Sequence, residues 1–165
     1  MKPSKQFDFV LVVLLFALPN VLYASDPQRE QEVVRRGSQI MPFDLDQTTH
    51  LFQPLKDGGV QRVVANDVNN KEQIGLIRAH LKEEAARFAR GDFSAPAKIH
   101  GADMPGIAEL SRGATRILES VRHVDLPNGA EIRYTTVDKA LIDAIHLWFQ
   151  AQLHDHGRHA VSPAN

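Results

Sequence analysis

The chain has no cysteine and no excess of positive charge, and both absences exclude classes of function. Without cysteine there can be no disulfide framework, thiolate zinc site, iron–sulfur cluster or cysteine nucleophile. Among 165 residues, 19 basic side chains face 20 acidic ones, so nucleic acid is not an expected partner. A glycine-rich phosphate loop, an HExxH helix and a strained serine elbow are missing as well. No single motif therefore names a reaction.

The longest apolar run, at 9–18, lies near the N-terminus. It follows two lysines, and Ala24 offers a small residue at a cleavage position. Because a membrane-spanning helix needs roughly 20 residues, the run is too short to span, and residues 1–24 are predicted to be a signal peptide. The alternative is an uncleaved N-terminal anchor. We expect the protein in the periplasm or secreted, with no membrane insertion after cleavage.

The rest of the chain is predicted to form one domain, at 41–158. A polar lead-in at 25–40, either a short helix or a tether, precedes it, and a flexible tail at 159–165 follows it. Inside the domain, a connection at 92–105 contains glycine, proline and serine and shows neither a helical nor a strand period.

Within this domain, a β-hairpin followed by a helix occurs twice, which indicates an internal repeat. Glycines at 58–59 and 129 mark the two hairpin turns. Apolar stripes predict helices at 71–90 and 139–156, and a short helix at 105–112 would bridge the units. The predicted fold is α+β, with two ββα units forming a four-stranded antiparallel sheet and the helices packed on one face. The alternative is an open ferredoxin-like arrangement with a different strand order.

Histidine is the residue in excess, with eight copies. In a protein without thiols, imidazole and methionine thioether are the available soft ligands, and they suit copper, zinc or haem iron. The clearest constellation is the segment 99–106, where His100 and Met104 lie four residues apart in a turn shaped by glycine and proline. Functional residues concentrate in such loops.

A metal site is predicted from His50, His100, Met104 and His146. His50 lies at the start of the first strand and His146 in the first half of the last helix. The loop carrying His100 and Met104 joins the two ββα units and must cross their junction, and ligand sites favour such seams. The mixed set favours copper because a thioether is a soft ligand.

Two more histidines are secondary candidates for the metal site. His80 lies in the first helix at the position equivalent to His146 in the second, since each precedes a helix-ending glycine by eleven residues. His156 returns to the apolar face of the last helix.

Three functional classes remain open. The first, which we favour, is an exported module that binds a metal ion, copper before zinc, or haem. The second is a small cofactor-independent enzyme, in which a histidine beside an aspartate such as Asp103 or Asp155 performs acid–base chemistry. The third is a structural or partner-binding domain whose partner is another periplasmic protein.

Several motifs together resemble a family of short exported bacterial proteins. The segments are MPFDLDQTTHLF, IHGADMPG, RYTTVD and LIDAIHLWFQAQLHDHG, and the resemblance covers about residues 40–160. Some members carry the name aspartate carbamoyltransferase. This sequence argues against that activity because it has neither the Ser-Thr-Arg-Thr phosphate-binding run nor the His-Pro-x-Gln run of those enzymes. The mature chain is also too short for their two-domain catalytic chain.

Overall fold

The computed structural model describes residues 26–113 and 121–163. The predicted signal peptide at 1–24 lies outside the described residues, as do residues 115–120 of the second predicted hairpin. The helices are α1 (Pro27–Gly37), α2 (Lys71–Phe88), α3 (Ser94–His100), α4 (Ile107–Arg112) and α5 (Lys139–His156). The strands are β1 (Thr48–Leu55), β2 (Gly58–Ala65), β3 (Val121–Leu126), β4 (Gly129–Thr135) and β5 (Ala160–Val161). Short 3-10 helices precede β1 and β5.

The sheet is mixed and has the strand order β3-β4-β2-β1-β5. Strands β1 to β4 pair in antiparallel fashion, and β2 and β4 join the two hairpins at the centre. The α+β class is therefore confirmed. The four-stranded antiparallel sheet is wrong by one strand, because Ala160 and Val161, predicted to be flexible, pair parallel to His50 and Leu51.

Each long helix packs on the hairpin of the other ββα unit. Helix α2 follows β2 but contacts mainly β3 and β4, and α5 follows β4 but contacts β1 and β2. Both helices begin at predicted caps: the Asn70 side chain accepts a hydrogen bond from the backbone of Gln73, and Asp138 accepts one from Ala140. This exchange of helices brings the end of α5 to the start of β1.

An aromatic cluster fills the space between the helices and the sheet. The Trp148 ring is fully buried. It meets the rings of Phe88, Phe93 and Tyr134 edge-on, at centroid distances of 5.6, 5.6 and 5.7 Å. Edge-to-face contacts of this kind add to the stability gained from burying apolar surface. The core therefore fixes the position of α5 against the sheet.

The connection at 92–105 contains a helix that the sequence pattern does not show. Helix α3 has only seven residues, too few for a period to be visible. It ends at Gly101, whose φ of +102° suits a residue without a side chain. The loop then presses on α5 at Gly106, where an added Cβ would lie 2.2 Å from the carbonyl oxygen of Ala144. No helix among the described residues is long and apolar enough to cross a membrane.

Candidate functional site

Three histidines from three different elements meet at one end of the core. His50 lies near the start of β1, His100 is the last residue of α3, and His156 is the last residue of α5. The centroids of the His50 and His156 rings are 4.7 Å apart, and those of His100 and His156 are 5.1 Å apart. Each residue is at most 4% exposed. We refer to His50, His100 and His156 as the histidine cluster.

Local structure explains why these rings point inward. Alternation along β1 places His50 on the same face as the buried Phe52. His100 and His156 each precede a glycine with positive φ, Gly101 at +102° and Gly157 at +49°. Such glycines end helices because the chain can turn there without a side-chain clash. Both helices therefore stop with an imidazole at the cluster.

A charged pair holds the His100 ring in place. Nδ1 of His100 lies 2.8 Å from Oδ2 of Asp155. Arg29, from α1, donates to both oxygens of the same carboxylate, with Nε at 3.0 Å and Nη2 at 2.6 Å, and also to the carbonyl oxygen of His100. Burial opposes ionisation of Asp155, but the hydrogen bonds from His100 and Arg29 outweigh it and lower its pKa to about 2.

The protonation of His100 follows from this arrangement. An ionised carboxylate only accepts hydrogen bonds, so Nδ1 of His100 must donate the proton to Asp155. In a neutral imidazole the other nitrogen, Nε2, then keeps its lone pair. The ring is thus available as a base or as a metal ligand.

The other two rings of the histidine cluster are neutral at neutral pH. Burial is the main cause and lowers the pKa of His50 to about 3; the neighbouring His159, His100 and His80 lower it further, while a hydrogen bond to the His159 backbone acts in the opposite direction. Burial, and then the adjacent His50, also lowers the pKa of His156 well below its ordinary value. Nδ1 of His50 is buried and has no hydrogen-bond partner within the described part of the chain.

A small internal cavity lies beside the histidine cluster. Its volume is about 30 Å³, which gives room for about two water molecules. The cluster lines it together with polar side chains from the sheet and both long helices, Gln61, His80, Glu84 and Gln152. Nε1 of Trp148 and Oε1 of Gln152 are buried and lack a hydrogen-bond partner in residues 26–113 and 121–163. Such groups are costly to bury unless water or a ligand satisfies them.

His100 also lines a larger cleft on the outside of the protein. This cleft has a volume of about 720 Å³ and lies between α1, the loop after α3 and α5. Its lining includes Arg29, Asp103, Met104 and Leu147. Since His100 faces both spaces, its ring separates the internal cavity from the cleft.

His146, a predicted ligand, does not join the histidine cluster. Its Nε2 lies 2.9 Å from the carbonyl oxygens of both Leu55 and Gly58, at the turn end of the first hairpin. His50 lies five residues earlier on β1, about 17 Å from that end at 3.3 Å per residue. Helix α5 reaches the start of β1 only at its last turn, so His156 takes the place predicted for His146.

Met104 also lies apart from the imidazoles of the cavity. It is 5% exposed and packs in the hydrophobic core. It lines the outer cleft beside His100 but not the cavity. The loop between Gly101 and Gly106 turns outward after His100, so the four-residue spacing does not place the thioether beside the ring. The softness argument for copper loses its basis.

The secondary candidates have different surroundings. His156 is at the centre of the histidine cluster. His80 lines the cavity, meets the Phe43 ring edge-on at 5.5 Å, and has Nε2 3.5 Å from Oε1 of Glu84. His159, predicted to lie in the flexible tail, is 6% exposed and lies next to His50. The seven-residue spacing from the buried Phe149 to His156 is the one sequence signal for the correct helix face.

In the described residues, no group of three or more His, Asp or Glu side chains is arranged to hold a metal ion as it stands. The stacking of His50 on His156, with ring planes 17° apart, accounts for this. Parallel rings do not direct their nitrogens at a common point.

Comparison with known proteins found similarity to the B-type subunit of aspartyl/glutamyl-tRNA(Asn/Gln) amidotransferase from several bacteria. The Alkalilimnicola ehrlichii protein is 32% identical over 117 residues, covering 71% of this chain and 19% of the relative. The Nitrosospira multiformis protein is 33% identical over 119 residues, with coverages of 71% and 19%. That of Pseudomonas syringae pv. syringae is 32% identical over 134 residues, with coverages of 80% and 21%. The chain thus spans about a fifth of these relatives. No family model and no solved structure matches.

Proposed function

We propose that the protein is an exported module that binds one metal ion through His50, His100 and His156. The observation that carries this proposal is the hydrogen bond from Nδ1 of His100 to Asp155. Metal-ligating histidines almost always donate their second ring nitrogen to a carboxylate, a backbone carbonyl or water, which fixes the tautomer and the ring orientation. Arg29 holds that carboxylate in turn.

Two further features support the proposal. Metal binding requires neutral imidazole, and burial lowers the pKa of His50 and His156 so that both are neutral at pH 7. Nδ1 of His50 is also buried without a partner in the described chain, which is unfavourable unless something binds there. His100 borders the outer cleft, which gives an ion a route inward.

Binding requires the stacked rings to change orientation. The His50 and His156 rings must turn about their Cβ–Cγ bonds so that their nitrogens face the same point as Nε2 of His100. Rotation about this bond has a broad energy minimum in histidine. The cavity beside the rings provides the space.

The ligand set now consists of imidazoles alone, which suits copper, zinc and nickel. Divalent copper forms the most stable complexes of the first-row ions with nitrogen ligands, so copper remains the favoured ion and zinc the alternative. Haem is disfavoured in the cavity because a space of about 30 Å³ cannot admit a porphyrin.

Metal titration of the purified protein tests this proposal. We expect one Cu²⁺ or Zn²⁺ per chain, and His100→Gln to weaken binding at least about 100-fold, because even changes to groups that only orient a ligand cost 10- to 100-fold. His50→Gln and His156→Gln should also weaken binding. The control is His146→Gln, a change on the same helix as His156, which should leave the affinity unchanged.

Circular dichroism of each variant confirms that the fold is intact. Stoichiometric binding by the His100→Gln protein, or loss of binding in the His146→Gln control, would contradict the proposal.

A second candidate function comes from the comparisons. The similarity to the amidotransferase subunit covers 71–80% of this chain in the relatives described above, which favours a domain that retains one region of such a subunit. On that hypothesis the chain acts with tRNA or with other amidotransferase subunits. Titration with unmodified tRNA at low salt separates the two candidates: salt-dependent binding would favour the second, and the net charge of −1 leads us to expect none.

A further inference from the structure

The cavity beside the histidine cluster contains two buried polar groups that the metal proposal does not use. Trp148 is 0% exposed and Gln152 is 4% exposed, and both line the cavity. Nε1 of Trp148 is a donor and Oε1 of Gln152 an acceptor, and neither has a hydrogen-bond partner within the described residues. They lie one turn apart on the same face of α5, one turn before His156.

Unsatisfied buried groups of this kind indicate a small polar occupant. Leaving a buried donor or acceptor unpaired costs about 1–3 kcal/mol, and here a donor and an acceptor share one space. The volume of about 30 Å³ has room for about two water molecules, so the occupant has only a few atoms. The edge-on contacts of Trp148 with Phe88 and Phe93 present ring surface to it rather than a hydrogen-bond acceptor.

We propose that the metal ion bound by the histidine cluster takes a fourth, non-protein ligand in this cavity, held by Trp148 and Gln152. This inference rests on the proposed metal site. The ligand is water or hydroxide, and a small anion such as azide can replace it. Water bonded to the metal donates a hydrogen bond to Oε1 of Gln152, and hydroxide or azide accepts one from Nε1 of Trp148.

An open coordination position distinguishes this site from a closed structural one. Structural ions in proteins are surrounded by four protein ligands, whereas reactive sites keep three and leave a position for water or substrate. Three imidazoles and a cavity lined by one donor and one acceptor correspond to the second type. The Trp148 and Gln152 side chains would set the affinity for the exchangeable ligand without touching the metal.

Azide titration of the copper-loaded protein tests the inference. We expect an azide-to-copper charge-transfer band with saturable intensity in the wild-type protein. Trp148→Phe should weaken azide binding about tenfold, the loss of one hydrogen bond, while leaving copper affinity unchanged. Because Trp148 lies in the core, Gln152→Leu serves as a second variant with less risk to the fold and should change the water-to-azide exchange constant by a similar factor.

Gln150→Leu is the matched control, since Gln150 lies on the same helix but is exposed and lines the outer cleft. Its azide affinity should equal that of the wild type. If copper binds but no azide band appears, or if neither Trp148→Phe nor Gln152→Leu changes the azide affinity, the fourth-ligand inference is wrong and the metal proposal stands. If copper does not bind at all, both are wrong.

Discussion

Replacing Asp155 with asparagine is expected to destabilise the protein by about 2–3 kcal/mol. Removing one partner of a buried ion pair typically costs about 3–5 kcal/mol, and we reduce that figure because the Arg29 side chain remains a third exposed. Asp155 accepts hydrogen bonds from both Arg29 and His100, so the substitution also frees the His100 ring. Urea unfolding at pH 7 measures the change.

The matched control for this change is Asp143→Asn. Asp143 lies on the same helix and pairs with Lys139 at 2.7 Å, but both side chains are exposed. Exposed pairs of this type contribute about 0.3–0.5 kcal/mol. Equal destabilisation by the two substitutions would show that the Arg29–Asp155–His100 arrangement has no special structural role.

Lowering the pH from 7 to 4.5 is expected to reduce the free energy of unfolding by about 2–3 kcal/mol. The pKa of His50 is about 3 in the folded protein against 6.5 for an ordinary imidazole, so the unfolded chain binds a proton that the folded chain does not. The stabilisation is complete above pH 6.5 and is lost as the pH falls towards 3, at about 1.4 kcal/mol per pH unit. Unfolding in urea at several pH values measures it in the absence of added metal.

His50→Phe should flatten this pH dependence because phenylalanine cannot be protonated, although His156 will retain a part of it through its own lowered pKa. Asp155 does not complicate the range, since its stabilisation is present above pH 3.8 and is lost only towards its folded pKa of about 2. His154→Gln is the control because that residue is exposed on the same helix as His156. A stability that is unchanged between pH 7 and 4.5 would contradict the assigned burial.

Local signals predict most of the secondary structure. The predicted strand at 48–55 and the helix at 139–156 agree with β1 and α5 residue for residue, because alternation, capping and glycine turns act within a few neighbours. The pairing of β5 with β1 is not predictable in this way. It involves two residues that meet a strand more than a hundred positions away, and so short a segment carries no period.

The candidate site shows the same division. A turn rich in glycine and proline indicates His100, and strand alternation indicates His50. The sequence does not show that α5 crosses to the first hairpin, which is why it favours His146 over His156. The contact of Arg29 with Asp155 joins residues 126 positions apart, and no local pattern indicates such a pair.

X-ray absorption spectroscopy of the copper-loaded protein tests the central claim most directly. The proposed site predicts about three imidazole nitrogens at roughly 2.0 Å from the metal, with the outer-shell scattering that imidazole rings produce and no sulfur among the directly bonded atoms. A sulfur scatterer would restore Met104 to the ligand set, and a spectrum without imidazole scattering would show that His50, His100 and His156 do not hold the ion.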